Sequence, residues 1–190
     1  MTRSRTCLLA GAALLVAGFT SSALAQSPNI AHADLKDKSG KAVGTVDITQ
    51  TAAGVLMRFD LKGLPRGEHA VHVHAVGKCD APFESAGAHF NPTNQKHGMM
   101  AGAGHAGDMP NLHVPQSGDL MAEIVNTNVT LEKGKPNSLL DSDGSSLVIH
   151  AKADDYKTDP AGDSGDRIAC GVISETGSGS TVGGGRSTGK

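Results

Sequence analysis

Short runs in which apolar and polar residues alternate recur along the chain, and glycine-containing breaks separate them. Alternation with a period of two is typical of strands, because successive side chains of a strand point to opposite faces. Eight runs show it: NIAHADLKDKSG, KAVGTVDITQT, GVLMRFDLKGL, HAVHVHAV, GDLMAEIV, NVTLE, SSLVIHA and RIACGVI. The breaks KSGK and TAAG suit hairpins, and no segment has a convincing amphipathic helical pattern. The chain is therefore predicted to be all-β, an antiparallel sandwich or barrel.

The first 25 residues have the pattern of a secretory signal peptide. Arg3 and Arg5 precede an apolar run from Cys7 to Phe19, and small residues ending in Ala-Leu-Ala follow it. With these flanks, the run is too short to be a membrane-spanning helix. We therefore expect residues 1–25 to be removed and the mature chain to begin near Gln26 without a membrane anchor. The product should be exported to the periplasm, with secretion as the alternative.

Two regions are expected after the signal peptide. Residues 26–173 are enough for one domain with its own core. Residues 174–190 are rich in glycine and serine and are expected to be a disordered tail. Loss of Arg3 and Arg5 changes the net charge from -2 to -4. The mature chain has no cluster of lysine or arginine, which argues against nucleic acid as a partner.

The mature chain keeps two of the three cysteines, Cys79 and Cys170. Because disulfides persist in the oxidising compartments that exported proteins enter, we expect these two cysteines to form one bridge. Two free buried thiols are the alternative.

The run GEHAVHVHAVGKCD, residues 67–80, concentrates histidines on a predicted strand. His72 and His74 are two residues apart and therefore share one face, while valines occupy the other. His150 ends another predicted strand. Three imidazoles suit Cu(II), which prefers a tetragonal set of nitrogen ligands. A half-exposed strand with two solvated histidines is the alternative to a metal site.

More than thirty residues between Cys79 and about Leu112 follow neither a strand nor a helix period. A loop of this length within a compact domain is usually functional or disordered. It contains three histidines and one carboxylate, His89, His97, His105 and Asp108. Zn²⁺ accepts histidine nitrogen and aspartate oxygen in a tetrahedral set, and an ion with four protein ligands is structural. The binding free energy of such an ion would order the loop.

Six stretches together resemble the copper/zinc superoxide dismutase family in its exported bacterial form: GEHAVHVH, SAGAHFNP, KHG, GHAGDMPN, VIHAKADD and GDRIACGVI. They occur in the order and approximate spacing of that family, from about residue 40 to residue 173. The resemblance implies an eight-stranded antiparallel Greek-key β-barrel with two long loops. The second of these loops is AKADDYKTDPAGDSGD, residues 151–166.

Position by position, the resemblance implies one copper and one zinc ion per subunit. The implied copper ligands are His72, His74, His89 and His150, and the implied zinc ligands are His89, His97, His105 and Asp108. His89 would be shared by the two ions. The resemblance further implies that Asp154 hydrogen-bonds one copper and one zinc histidine, and that Arg167 lies beside copper. Cys79 and Cys170 match the disulfide of the family.

The activity implied by the resemblance is that of a superoxide dismutase, an antioxidant oxidoreductase. Such an enzyme converts superoxide to dioxygen and hydrogen peroxide by alternate reduction and oxidation of copper. Arg167 would bind the small anion, and His89 would carry a proton. A non-catalytic carrier or delivery protein for copper and zinc on the same scaffold is the alternative. The strand patterns do not decide between a monomer and a homodimer, and the channel lysine of the eukaryotic branch has no clear counterpart in this chain.

Three histidines lie outside the implied ligand set. His69 shares its strand face with valines, so we expect it to be a hydrogen-bonded core histidine rather than a ligand. His32 and His113 are expected at the surface. Four methionines are expected to fill gaps in the core, with thioether ligation of Cu(I) as the alternative. They are Met99, Met100, Met109 and Met121.

Overall fold

A computed structural model describes residues 29–176 of the chain. Within this range it contains ten β-strands and one 3-10 turn, Glu84–Ala86. The strands are β1 (Ile30–Asp37), β2 (Ala42–Thr51), β3 (Gly54–Leu61), β4 (Gly67–His69), β5 (Val71–His74), β6 (Leu112–Val114), β7 (Leu120–Asn126), β8 (Ser146–His150), β9 (Arg167–Val172) and β10 (Ser174–Glu175). The expected signal peptide, residues 1–25, and most of the expected tail lie outside the described residues. No helix within residues 29–176 is long and apolar enough to cross a membrane.

Eight of the strands form one antiparallel sheet. Seven lie in the order β5-β8-β9-β1-β2-β3-β7, and β10 pairs with the start of β1. β4 and β6 pair separately. Neighbours in the sheet that are distant in sequence, such as β5 and β8 or β9 and β1, need the long crossing connections typical of Greek-key proteins. The all-β antiparallel fold predicted from the alternating runs is confirmed.

The alternation within the strands places one set of side chains in the core. Val46 and Ile48 of β2 and Met57 and Phe59 of β3 are buried, whereas Asp47 between the first two is exposed. Burial of an aliphatic or aromatic side chain of this size contributes roughly 1.5–3 kcal/mol. The packed core therefore holds rigidly the strands that carry the histidines.

Two of the eight predicted strands differ from the structure. HAVHVHAV is divided: β4 pairs with β6, whereas β5 pairs with β8. NVTLE was predicted to be a strand and this prediction is wrong, since only Thr130 forms a single bridge, to Ser138. The Gln50 side chain holds this segment instead, because its Oε1 accepts from the Leu131 backbone N–H and from the Thr130 hydroxyl. β6 was not predicted, because three residues are too few to display a period.

Strand pairing continues past the expected domain boundary at residue 173. Ser174 and Glu175 pair with His32 and Ala31 of β1. Thr176 continues this contact, with its backbone N–H donating to Ile30 O at 3.0 Å. The open start of β1 offers backbone partners to these residues.

The methionine prediction holds at only one of its four positions. Met109 is buried, whereas Met99, Met100 and Met121 are exposed. For these three the prediction is wrong, because two lie in the long loop and Met121 lies on the outward side of β7.

Cys79 and Cys170 form the expected disulfide, with their Cα atoms 5.6 Å apart. The bond joins the start of the long loop to β9. It thus fastens a segment without regular structure to the middle of the main sheet.

Candidate metal centre

The long loop runs along the open edge of β5. Backbone hydrogen bonds of 2.8 and 2.9 Å tie Val73 to the loop. Single backbone bridges join His72 to Asp108 and His74 to His89. Because the loop follows the strand in this way, side chains that are up to 36 residues apart in the sequence meet at one end of the sheet.

Four buried histidines converge at this place, two from β5, one from the end of β8 and one from the loop. They are His72, His74, His150 and His89. One ring nitrogen from each lies within 4.8 Å of the others. The structure thus brings together the four residues for which copper ligation is predicted, and we call them the four-histidine group.

A second group adjoins the first and consists of His89, His97, His105 and Asp108. The Nδ1 atoms of the three histidines lie 3.0, 3.1 and 3.5 Å, respectively, from the Asp108 carboxylate oxygens. His89 belongs to both groups. We call this second set the three-histidine–aspartate group, and its members are the residues for which zinc ligation is predicted.

Six ring nitrogens in the two groups are buried and have no hydrogen-bond partner. They are His72 Nδ1, His74 Nε2, His89 Nε2, His97 Nδ1, His105 Nδ1 and His150 Nε2. A buried polar atom without a partner costs about 1–3 kcal/mol, so six in one place need an explanation. Cations bound between these nitrogens would supply it.

In His74 and His150, the ring nitrogen that points away from the centre has hydrogen-bond partners. His74 Nδ1 lies 2.9 Å from Gly87 O, and His150 Nδ1 lies 3.3 Å from Gly165 O. Because a carbonyl only accepts, His74 Nδ1 carries the proton and His74 Nε2 keeps a lone pair. His150 Nδ1 also lies 3.1 Å from the Ser164 hydroxyl, which can donate or accept. Such outer hydrogen bonds orient histidines that bind metals.

Burial keeps three members of the four-histidine group neutral. It lowers the pKa of His72 to about 4, that of His74 to about 2 and that of His150 to about 3. Burial alone would raise the pKa of Asp108, but hydrogen bonds from His89 and from backbone N–H groups lower it overall. At neutral pH these three imidazoles are therefore neutral and the Asp108 carboxylate is ionised, which are the forms that bind metal ions.

Asp154 joins the two groups. Its Oδ2 accepts from His72 Nε2 at 2.8 Å and its Oδ1 from His97 Nε2 at 3.0 Å. Burial would raise its pKa, but these two hydrogen bonds outweigh burial and lower it. Asn111 holds the backbone of Asp154 through two hydrogen bonds, accepting from its N–H at 2.8 Å and donating to its carbonyl at 2.9 Å.

Residues 42–173 of the chain match the family model described as copper/zinc superoxide dismutase. The chain belongs to the copper/zinc superoxide dismutase family. A curated relative, Superoxide dismutase [Cu-Zn] 1 of Aquifex aeolicus, is 49% identical over 145 residues, which cover 75% of this chain and 86% of the relative.

Solved structures of the copper/zinc superoxide dismutase fold support the same assignment. A SOD-like protein from Bacillus subtilis superposes with a TM-score of 0.72 at 39% identity, covering 74% of this chain and 96% of that one. The Cu/Zn superoxide dismutase from Brucella abortus gives a TM-score of 0.63 at 28% identity, covering 76% of this chain and 99% of that one. The predicted Greek-key β-barrel class is therefore confirmed.

The donor set fits the two ions of the copper/zinc superoxide dismutase family. The four-histidine group offers only imidazole nitrogen, which suits copper. The three-histidine–aspartate group offers the nitrogen and oxygen donors that a closed zinc site takes. The six buried ring nitrogens without partners all belong to these groups. The chain thus carries donors for both family cofactors.

Arg167 stands at the entrance of the four-histidine group. Its guanidinium donates to Phe83 O at 2.6 Å and to Gly87 O at 2.8 Å. The side chain is 17% exposed, and Glu84 lies 3.9 Å from it. With His74, His89 and His150, Arg167 lines a cleft of about 750 Å³. Its charge is permanent, and the two carbonyls use only part of its five N–H donors.

Several residues of the centre have no signal in the sequence patterns. Asn111 holds Asp154, as described above. Asp159 Oδ1 accepts from the backbone N–H of His97 at 2.8 Å and lies 4.0 Å from His105 Nε2. Gly162 lies against the carboxylate of Asp154. Each contacts a residue that is not its neighbour in the sequence, so no local sequence pattern predicts the contact.

The three histidines outside the ligand set lie where expected. The ring nitrogens of buried His69 lie 2.8 and 2.9 Å from the carbonyl oxygens of His150 and Pro65. His32 lies at the surface between Asp34 and Asp47. His113 is exposed.

We expect Gly162→Ala to weaken metal retention about 10- to 100-fold, the range for outer partners of metal ligands. A Cβ at Gly162 would overlap Asp154 Oδ1 and lie 2.8 Å from His97 Nε2, so the carboxylate must leave its position. The metal content after dialysis against a graded chelator measures the effect. Gly134→Ala is the matched control, because Gly134 also has a positive φ but open space around it. Equal metal retention by the two variants would contradict the expectation.

Proposed function

We propose that this chain is a superoxide dismutase that converts two superoxide anions and two protons to dioxygen and hydrogen peroxide. The observation that carries the proposal is the cluster of six buried ring nitrogens without partners beside an arginine that lines an open cleft. Copper bound by His72, His74, His89 and His150 supplies reversible one-electron transfer. Zinc bound by His89, His97, His105 and Asp108 orders the loop.

The protein residues have three tasks in this reaction. Arg167 binds and orients the anion, because its guanidinium is fixed by two carbonyls and faces the cleft. Asp154 sets the ring orientation of His72 and His97. His89 Nε2 has no hydrogen-bond partner among the described residues, and we propose that this atom takes up a proton when it does not hold copper and then delivers that proton.

A carrier protein on the same scaffold would need the metal ligands but not a fixed cation beside them. Arg167 is held by two hydrogen bonds to a segment that the disulfide secures. This arrangement supports catalysis on an anion rather than storage of metal ions.

We expect Arg167→Ala to lower kcat/KM for superoxide on the order of 10- to 100-fold. Loss of a hydrogen bond to a charged group costs about 1.5–3 kcal/mol, which corresponds to this range. The metal content should stay near two ions per chain, since Arg167 contacts no member of the ligand groups through its hydrogen bonds. Arg167→Lys should restore only part of the rate, because lysine lacks the planar fork of donors. Unchanged dismutation by Arg167→Ala would remove the proposed role of this residue.

We further propose that residues 1–25 are a signal peptide, that residues 26–173 form the functional domain and that the protein acts in the periplasm or outside the cell. The disulfide Cys79–Cys170 supports export, because such bonds persist in oxidising compartments. Mass spectrometry of the protein purified from the periplasmic or culture fraction should find Gln26 as the first residue. A chain that keeps residues 1–25 in the cytoplasmic fraction would contradict export.

A further inference from the structure

The turn between β1 and β2 is held in one conformation by a carboxylate. Asp37 Oδ1 accepts from Ser39 N at 2.8 Å, from Ser39 Oγ at 2.6 Å and from Lys41 N at 3.0 Å. The hydrogen bond from the Ser39 hydroxyl is the main cause that lowers the pKa of Asp37. Lys38 therefore projects from a turn whose backbone is well defined.

This turn lies beside the strand that carries Arg167. In the main sheet Lys36 pairs with Cys170 and Asp37 pairs with Ala169. The register places Lys38 next to the beginning of β9. Its side chain lines the same cleft as Arg167, His74, His89 and His150. Its Nζ lies 3.6 Å from Asp166 Oδ2.

Acidic groups dominate the rim of the cleft. Three carboxylates line it, Glu84, Asp163 and Asp166, against two permanent cations, Lys38 and Arg167. Each carboxylate has a basic partner within 4.0 Å, and Lys38 is the partner of Asp166. Without Lys38, an anion approaching Arg167 would pass a rim with three carboxylates and no lysine among the described lining residues.

The side chain of Lys38 lies nearer to solvent than that of Arg167. The side chain of Lys38 is 45% exposed and that of Arg167 is 17% exposed. An anion that enters from solvent therefore meets Lys38 before it reaches the guanidinium. A flexible, strongly hydrated ammonium is suited to attract an ion without binding it tightly.

We propose that Lys38 draws the anionic substrate into the cleft and that Asp166 moderates this attraction by pairing with it. The inference rests on the proposed dismutase function. Concentration of anions by charged clefts is a general effect for which superoxide dismutases are a standard example. The new element is the residue: a lysine of the β1–β2 turn, distant in sequence from every residue of the metal centre.

The rate test compares Lys38→Gln, Lys38→Glu and Asp166→Asn with Lys41→Gln. Lys41 lies in the same turn but does not line the cleft, so it is the matched control for the loss of one positive charge. At an ionic strength of about 10 mM we expect Lys38→Gln to lower kcat/KM about two- to fivefold and Lys38→Glu to lower it further. Asp166→Asn should raise kcat/KM. The differences should shrink near 150 mM, where the Debye length falls to about 8 Å.

A second measurement does not depend on turnover. The affinity of the copper- and zinc-loaded protein for azide, followed by the copper absorption band, should fall about two- to fivefold in Lys38→Gln at low salt and should stay unchanged in Lys41→Gln. Weakened azide binding in a protein that does not dismutate superoxide would support the role of Lys38 and refute the proposed function. If the wild-type protein dismutates superoxide, but Lys38→Gln and Lys41→Gln have equal rates, equal salt dependence and equal azide affinity, the role of Lys38 is overturned and the proposed function stands.

Discussion

Replacement of His72 by alanine is expected to remove copper from the protein and to leave zinc in place. His72 contributes to the four-histidine group but not to the three-histidine–aspartate group. Its Nδ1 is one of the buried nitrogens without a hydrogen-bond partner, as expected of a nitrogen that binds the ion. Because loss of an outer partner alone costs 10- to 100-fold in metal affinity or activity, loss of a ligand should lower dismutation by about 100-fold or more.

Metal analysis and a superoxide assay on the same sample of the His72→Ala protein test this expectation. His113→Ala is the control, since His113 is an exposed histidine outside both groups. The zinc content should remain close to one ion per chain, because Asp154 still accepts from His97 after His72 is removed. Full copper content and full activity in His72→Ala would contradict the assignment of the four-histidine group.

Removal of the disulfide is expected to have the largest effect on stability. The bond closes a loop across a sequence separation of 91 residues. In the chain-entropy model, a loop of this length contributes about 4–5 kcal/mol to the free energy of unfolding. The double variant Cys79→Ser, Cys170→Ser should therefore unfold at a much lower urea concentration than the wild type.

The same variant should lose activity beyond its loss of stability. The disulfide anchors the segment that offers Phe83 O and Gly87 O to Arg167, and Gly87 O also accepts from His74. Activity should be measured well below the urea midpoint, so that unfolding does not contribute. A variant with an unchanged free energy of unfolding, or with full activity in the folded state, would contradict this account of the bond.

The two clusters of candidate ligands could be predicted in large part, because the strand and loop patterns that indicate them are local. Alternation places His72 and His74 on one face of β5, and both are found on the metal side while valines pack in the core. The loop lacks any period, and its histidines are gathered by backbone pairing with β5. The motifs that resemble the family then connect the two sets, which spacing alone does not do.

The supporting contacts could not be predicted in this way. Arg167 is held by backbone carbonyls, and a carbonyl has no sequence signature. Lys38 reaches the cleft only because β1 pairs with β9, which depends on the order of strands in the sheet. The wrong prediction of a strand at NVTLE has a similar cause, since Leu131 N donates to the side chain of Gln50 and Thr130 N to Asn137 O, and neither donates to the backbone of a neighbouring strand.

The central claim is that His89 belongs to two metal sites at once. The most direct test loads the metal-free protein with Cu(II) in the four-histidine group and Co(II) in place of zinc, and records the copper electron paramagnetic resonance signal. If one imidazole bridges the ions, their unpaired electrons couple and the copper signal should be lost, whereas the Cu(II) and Zn(II) protein should keep it, because Zn²⁺ has a filled d shell. A copper signal of full intensity, with both Cu(II) and Co(II) bound at one ion each per chain, would contradict the claim.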